Sequence, residues 1–238
     1  MEQEYPLVSA IMLAGKIAPA NIMAGIECFK SQDYSYKELI IVNNAQNQLD
    51  ASSLNIKAEK DIFIVDTPQH LTTGMARNYG ISAANGQILA QFDADYWHSP
   101  SRLSAQVAGM AKNESHIAVF NKTLSYSYVS DYASYHTNPK EIILETMVFI
   151  RPKEIDYPNI EKNEELGILN KLNNIDYKTI SINNPVLCCK LFFTDHTTVA
   201  TIEKGSKSKL NITKNPAMSK EHYEITKSML DNRESLFK

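Results

Sequence analysis

The chain has 238 residues, of which 43% are hydrophobic and 21% charged, and 24 Lys and Arg against 27 Asp and Glu leave a formal net charge of −3. The apolar fraction excludes a disordered chain, and the near-neutral balance argues against a dedicated nucleic-acid binder, which carries a basic excess. The length suits a single α/β domain.

In chain order, residues 7–12 read as a buried strand. Residues 19–31 read as a helix, with Pro19 in the first turn, where a missing N–H costs nothing. Residues 37–42 (KELIIV) form a second strand and residues 61–65 a third. Thr72 or Thr73 can cap a helix that runs to about residue 84 and is ended by Asn85-Gly86. Residues 87–92 are a fourth strand, which stops at Asp93-Ala94-Asp95. Strands alternating with helices of this length imply parallel pairing and right-handed crossovers.

The second half loses that rhythm. A helix from Pro100 to about residue 111 is followed by strand-like runs at 117–120, 146–150, 177–182 and 186–193, with one helix over 161–172 between them. A Lys-rich stretch, 204–214, reads as a loop, and residues 217–230 as a closing helix. No repeat or linker breaks the chain, so one domain is expected. In open α/β sheets ligands lie beyond the carboxyl ends of the strands, which points to the residues after Val42, Val65 and Phe92.

Cys28, Cys188 and Cys189 are odd in number and lack C-x-x-C spacing, so they support neither a disulfide framework nor a zinc knuckle. They read as buried small apolar residues in a reducing compartment, with Cys188 and Cys189 on opposite faces of a strand. Met1-Glu2-Gln3-Glu4 is acidic where a secretory signal starts basic. The longest apolar runs fall far short of the roughly 20 residues of a spanning helix. The expectation is a cytoplasmic protein without a transmembrane segment, peripheral contact with a membrane being left open.

Asp93-Ala94-Asp95 holds the first chemistry. Two carboxylates two apart on extended chain share a face, reach one ligand, and repel each other unless a cation or donor group lies between them. At the carboxyl end of a strand this suits Mg2+ or Mn2+, with diphosphate oxygens completing the shell. The plain alternative is a solvated turn before the next helix.

The flanking segments extend this reading. Residues 7–12, 38–42, 74–86 (GMARNYGISAANG), 87–95 (QILAQFDAD) and 100–103 (PSRL) together resemble the family-2 glycosyltransferases. The resemblance implies a GT-A fold: a single α/β domain with a Rossmann-like, mostly parallel central sheet flanked by helices and a smaller mixed β region on the acceptor side. It implies a domain over 1–204, divided into a nucleotide-sugar-binding half (1–112) and an acceptor-side half (113–204), with 205–238 packed on the same domain. It further implies metal-dependent transfer of a sugar, with inversion, from a nucleotide diphosphate donor to an acceptor hydroxyl in glycan or polysaccharide assembly.

Residue by residue, the resemblance gives Asp95, with Asp93 and His196, to a divalent cation, Mn2+ or Mg2+. Asp195 and His98 are the competing ligands. Asn163-Glu164-Glu165 falls where the family has G-E-D, whose Asp is the general base, so Glu165 inherits that role with Glu164 beside it. The plain alternative for both is a charged helix N-terminus stabilised by the macrodipole. Donor binding falls to Leu13, Gly15, Asn43, Asn44, Arg77 and Asp93. Asn43-Asn44 stands where the family has Asp-Asp, and an amide both accepts and donates, so Asn44 can read uracil or cytosine; a UDP-sugar is the favoured donor. Leu13-Ala14-Gly15-Lys16 replaces a segment that supplies an aromatic partner for the base. The guanidinium of Arg77 suits diphosphate, a base edge, or a structural role pinning the loop after Val42. Trp97 is expected to pack on the helix after Pro100, and Arg102 and Leu103 to hold that helix to the sheet. A catalytically silent GT-A domain that binds a sugar nucleotide or glycan is the alternative reading, kept open by Asn43-Asn44 and by Glu165.

Overall fold

In the structure, a computed structural model, the described residues are 6–192 apart from 16, 45–48, 50–53, 55, 57–58, 69–70, 128–131 and 138–141. His196, Asp195, Lys16, the stretch 204–214 and the expected closing helix therefore lie outside the described residues.

The chain runs β1 (Val8–Leu13), α1 (Pro19–Lys30), β2 (Lys37–Asn43), β3 (Ile62–Asp66), α2 (Thr73–Ala83), β4 (Ile88–Gln91), β5 (Tyr96–His98) and α3 (Arg102–Lys112). It continues through β6 (Ile117–Phe120), β7 (Lys122–Ser127), β8 (Tyr132–Thr137), β9 (Ile143–Ile150), α4 (Glu164–Asn173), β10 (Thr179–Ile182) and β11 (Cys188–Phe192). Seven strands form the central sheet in the order β10-β6-β9-β4-β1-β2-β3. β4, β1, β2 and β3 are parallel, β9 runs antiparallel between β4 and β6, and β10 is parallel to β6. A second, smaller sheet has the order β5-β11-β7-β8.

Period-two side-chain alternation sorts the apolar strands into two cores. Val8, Ala10 and Met12 of β1 and Leu39 and Ile41 of β2 join Ile22, Ile26 and Phe29 of α1 and Leu103 and Met110 of α3. Ile11, Ile40 and Val42 point the other way, to Ala76 and Ile81 of α2 and Ile168, Leu169 and Leu172 of α4. A parallel sheet covered on both faces needs apolar side chains at successive positions, which is why residues 10–13 and 39–42 read as unbroken runs. β11 shows the same alternation: Cys188 joins a cluster with Tyr96 and Phe120, and Cys189 one with Leu124 and Leu191. Cys28 is only half-buried, so the expectation that all three cysteines are buried holds for two.

Several expectations are corrected by tertiary context. β5, β7 and β8 were not expected, because KTLSYS and YASYHT carry too little apolar alternation; pairing within the second sheet makes them strands. Residues 185–187 form a 3-10 turn rather than strand, and the helix expected from residue 161 starts at Glu164. Asn85-Gly86 is not a left-handed helix stop, since Ala84 caps α2 with extended backbone (φ −75°, ψ 139°). Gly86 is needed for a close approach instead: a Cβ there would lie 2.5 Å from Ser9 Oγ and 2.7 Å from the Leu7 carbonyl oxygen. Glu38 buttresses this turn by accepting from Ser9 Oγ (2.6 Å) and the Asn85 N–H (2.6 Å). Trp97 packs against Leu124, Cys189 and Leu191 of the second sheet rather than on α3.

Arg102 is fully buried and, as expected, ties α3 to the sheet. It donates to Gln106 Oε1 (3.1 Å) and to the carbonyls of Gln91 (2.7 Å) and Thr146 (3.2 Å), and its Nη1 lies 2.7 Å from His98 Nδ1. Arg102→Leu strands those acceptors in the core and is expected to cost on the order of 2–4 kcal/mol in chemical denaturation. Arg102→Lys should restore little, because one ammonium cannot reach a fork of four acceptors.

Candidate active site

The carboxyl ends of β1, β2 and β4 open onto a crevice closed by the N-terminal ends of α2 and α4. α2 starts where expected: Thr72 is its N-cap and accepts from the Met75 N–H at 3.3 Å. α4 starts abruptly because Asn163 adopts left-handed backbone (φ 62°, ψ 24°), a conformation that Asn tolerates better than most side chains. Asn thus serves at the position where the resembled motif has Gly, and Glu164 and Glu165 are the first residues of the helix.

Arg77 of α2 is the hub of the crevice. Its Nη1 and Nη2 donate to the two carboxylate oxygens of Asp93 at 3.1 and 3.0 Å. Its Nε donates to Glu164 Oε1 at 3.3 Å, and Nη2 lies 3.5 Å from Glu165 Oε1. Arg77 is 3% exposed; burial opposes its charge, but Asp93 and Glu165 outweigh that and hold it well above the usual guanidinium range. Among the described residues its ion pairs join the D-x-D to α4. Below it, Tyr157 accepts from Gln91 Nε2 at 2.8 Å, with the guanidinium 5.9 Å from the ring centre.

Asp93-Ala94-Asp95 is a turn, with the Tyr96 N–H donating to the Asp93 carbonyl at 3.2 Å, so the two carboxylates do not share an extended face as expected. Asp93 is engaged with Arg77, whereas Asp95 has no ion pair among the described residues. Burial pushes the Asp95 carboxyl up to about 6, with Asp93 and Glu145 adding to the shift and Lys190 opposing it. Glu165 is pushed up to about 8 by burial, Arg77 opposing and Glu164 and Glu145 adding. His98 Nε2 lies 3.0 Å from the Asp93 carbonyl while its Nδ1 faces Arg102, so the imidazole braces the turn from behind and has no nitrogen to spare for a metal.

Glu145 and Lys190 had no signal in the sequence. β9 pairs antiparallel with β4, Ala90 opposite Val148, and continuing that register brings Glu145 level with Asp93. Lys190 arrives through β11, opposite Tyr96, and its Nζ lies 3.5 Å from Glu145 Oε1.

Beside the hub is a cavity of about 370 Å3 lined by Leu13, Gly15, Ile17, Asn44, Leu71, Thr72, Thr73 and Glu161. Three of the donor-site candidates therefore meet in one cavity. Asn44 uses both ends of its amide on the chain itself: Nδ2 donates to the Leu71 carbonyl (3.0 Å), and Oδ1 accepts from Thr67 Oγ1 (3.0 Å) and the Leu71 N–H (3.3 Å). It shapes the wall rather than offering a free amide. Asn43 donates to Asp66 Oδ1 at 2.7 Å across the β2–β3 ladder, while its own buried Oδ1 has no hydrogen-bond partner among the described residues. Gly74, in the first turn of α2, lies so close to residues 158–160 that a Cβ would collide with the Pro158 carbonyl oxygen. Gly74→Ala is expected to cost roughly 1–3 kcal/mol and to weaken binding in the cavity, read by denaturation and nucleotide titration.

Asp93, Asp95, Glu145, Glu164 and Glu165 place five carboxyl groups around Arg77 and Lys190, hard oxygen donors of the kind a divalent cation takes. Among the described residues no three of His, Cys, Asp and Glu converge into a protein-only shell. A cation beside Asp95 would complete its coordination with phosphate oxygens and water, as Mg2+ commonly does. No described helix is long and apolar enough to cross a membrane.

Residues 17–193 match the family model described as glycosyl transferase family 2. Among solved structures, a mannosyltransferase from Pyrobaculum calidifontis in complex with GDP-Man and Mn2+ is similar, with 17% identity and a TM-score of 0.60 over 79% of this chain and 57% of that one. The 1–349 fragment of S. aureus TarS in complex with UDP is similar at 11% identity and a TM-score of 0.61, over 77% of this chain and 60% of that one. The chain thus spans less than two thirds of the length of either structure. No curated protein matches it in sequence.

Proposed function

The chain belongs to glycosyl transferase family 2, and we propose that it is an inverting glycosyltransferase that moves a sugar from a nucleoside diphosphate donor to an acceptor hydroxyl. The cavity beside Asn44 is the proposed seat of the nucleoside. Its volume of about 370 Å3 falls within the range of small-molecule pockets, and a UDP-sugar is the proposed donor. The TarS fragment solved with UDP is in keeping with that choice.

The observation that carries the reading is Glu165, a largely buried carboxylate at about 8, held 3.5 Å from the guanidinium that also grips Asp93. A general base works best with a pKa near the operating pH. In the proposed step Glu165 takes the proton from the acceptor hydroxyl. The acceptor oxygen bonds to the anomeric carbon from the face opposite the donor, and the C–O bond to the diphosphate breaks, its electron pair leaving with the nucleoside diphosphate. Arg77 keeps Glu165 and the D-x-D in mutual register, so the reacting groups meet without a search. Asp95, with Asp93 and His196 as further candidates, would hold a Mn2+ or Mg2+ ion, which supplies charge neutralisation to the departing diphosphate when bound. Glycan or polysaccharide assembly in the cytoplasm is the proposed setting.

Titration of UDP, CDP and GDP into the protein, with thermal stability as readout and with and without Mn2+, tests the donor site. A rise in midpoint with UDP above the other two is expected. No response to any diphosphate overturns the reading. A response without turnover of any UDP-sugar would favour the silent binding module.

A further inference from the structure

Arg77 spends its guanidinium on Asp93, Glu164 and Glu165, so it has little left for an anionic ligand. Lys190 differs. Its side chain is 13% exposed, and its Nζ lies 3.5 Å from Glu145 Oε1 and 5.2 Å from the centre of the Tyr96 ring. Among the described residues Glu145 is its one hydrogen-bond partner, and an ammonium has three N–H donors. The backbone sets its place beside the D-x-D: Lys190 is opposite Tyr96 in the β11–β5 pair, and the next N–H, of Leu191, donates to the Asp95 carbonyl at 2.8 Å. The ladder thus carries this cation to the same turn as Asp95, on a strand rather than on a loop.

We propose that Lys190 is a resident cation of the donor site, its ammonium held by Glu145 and Tyr96 so that its remaining donors bind the diphosphate of the sugar nucleotide. The inference rests on the donor-site reading above and adds a charge that is in place whether or not a divalent ion is bound. A fixed ammonium in a partly dehydrated crevice stabilises the negative charge that gathers on the leaving diphosphate without solvent reorganisation. Glu145 orients the ammonium, and the ring of Tyr96 supports it from the other side.

Calorimetric titration of UDP and UMP into wild type, Lys190→Met and Lys190→Arg, in excess EDTA and again with Mn2+, tests this. In EDTA the wild type should bind UDP at least about tenfold more tightly than UMP. Lys190→Met should lose that preference while still unfolding in one cooperative transition, and Lys190→Arg should keep most of it. A folded Lys190→Met that retains the preference overturns the proposal. If Lys190→Met does not fold, the wild type decides, because equal binding of UDP and UMP in EDTA overturns it as well. A wild type that binds UDP only with Mn2+ removes the lysine and leaves the donor site standing, whereas one that binds no nucleotide in either buffer removes both.

Discussion

Arg77→Met is expected to destabilise the protein by about 3–5 kcal/mol at neutral pH, as measured by chemical denaturation. The residue is 3% exposed and is the shared partner of Asp93, Glu164 and Glu165. Removing it leaves three carboxylates close together with no cation among them. Arg77→Lys should recover little of the lost stability, since the contact with Asp93 is a two-pronged guanidinium pairing. A loss below about 1 kcal/mol would show that the carboxylates find other partners and that Arg77 is not the hub.

Glu165→Gln is expected to lower turnover by roughly 10²–10⁴-fold while leaving nucleotide affinity within a few-fold of wild type. Glutamine keeps the shape and the contact with Arg77 but cannot take a proton. The pH profile carries an independent check. With Glu165 pushed up to about 8, the wild-type rate should climb with pH and level off above about 8, as the carboxyl ionises. Stability should move the other way. Between the ordinary carboxylate range and pH 8 the folded state holds a proton that the unfolded state has released, so Glu165 draws stability down as the pH rises through that window. Glu165→Gln should therefore flatten this decline. Undiminished turnover in a folded Glu165→Gln would assign the base to another group.

The sequence carried the first half of the fold clearly. Apolar runs of five or six residues separated by capped, 3.6-periodic segments leave few alternatives to parallel strands and crossover helices, and Thr72 and Pro19 sit in the helix ends as local chemistry requires. Legibility failed where strands owe their existence to partners. KTLSYS and YASYHT acquire regular structure by pairing with one another and with β11, and nothing in six residues announces a partner tens of positions away. The site divides in the same manner. Arg77, Asp93, Glu164 and Glu165 were legible as residue types in a recognisable order, yet the single guanidinium that binds all three carboxylates was not. Glu145 and Lys190 were invisible, because β9 brings one to the D-x-D and β11 the other.

Local propensity and side-chain period thus determined the α/β class, the positions of the helices and the edge of the sheet where a ligand belongs. They act over a turn or a strand, and the sequence states them directly. Only the tertiary structure decided which charges meet. It turned the D-x-D so that Asp93 faces Arg77 and Asp95 stands apart, and it tied both ends of the Asn44 amide to the chain. It also set Lys190 beside the acidic cluster. Charge falls off with distance in space and with solvent exclusion, neither of which is a function of separation along the chain. The gathering of five carboxyl groups around two cations, and with it the poise of Glu165, therefore exists only once the two sheets are assembled.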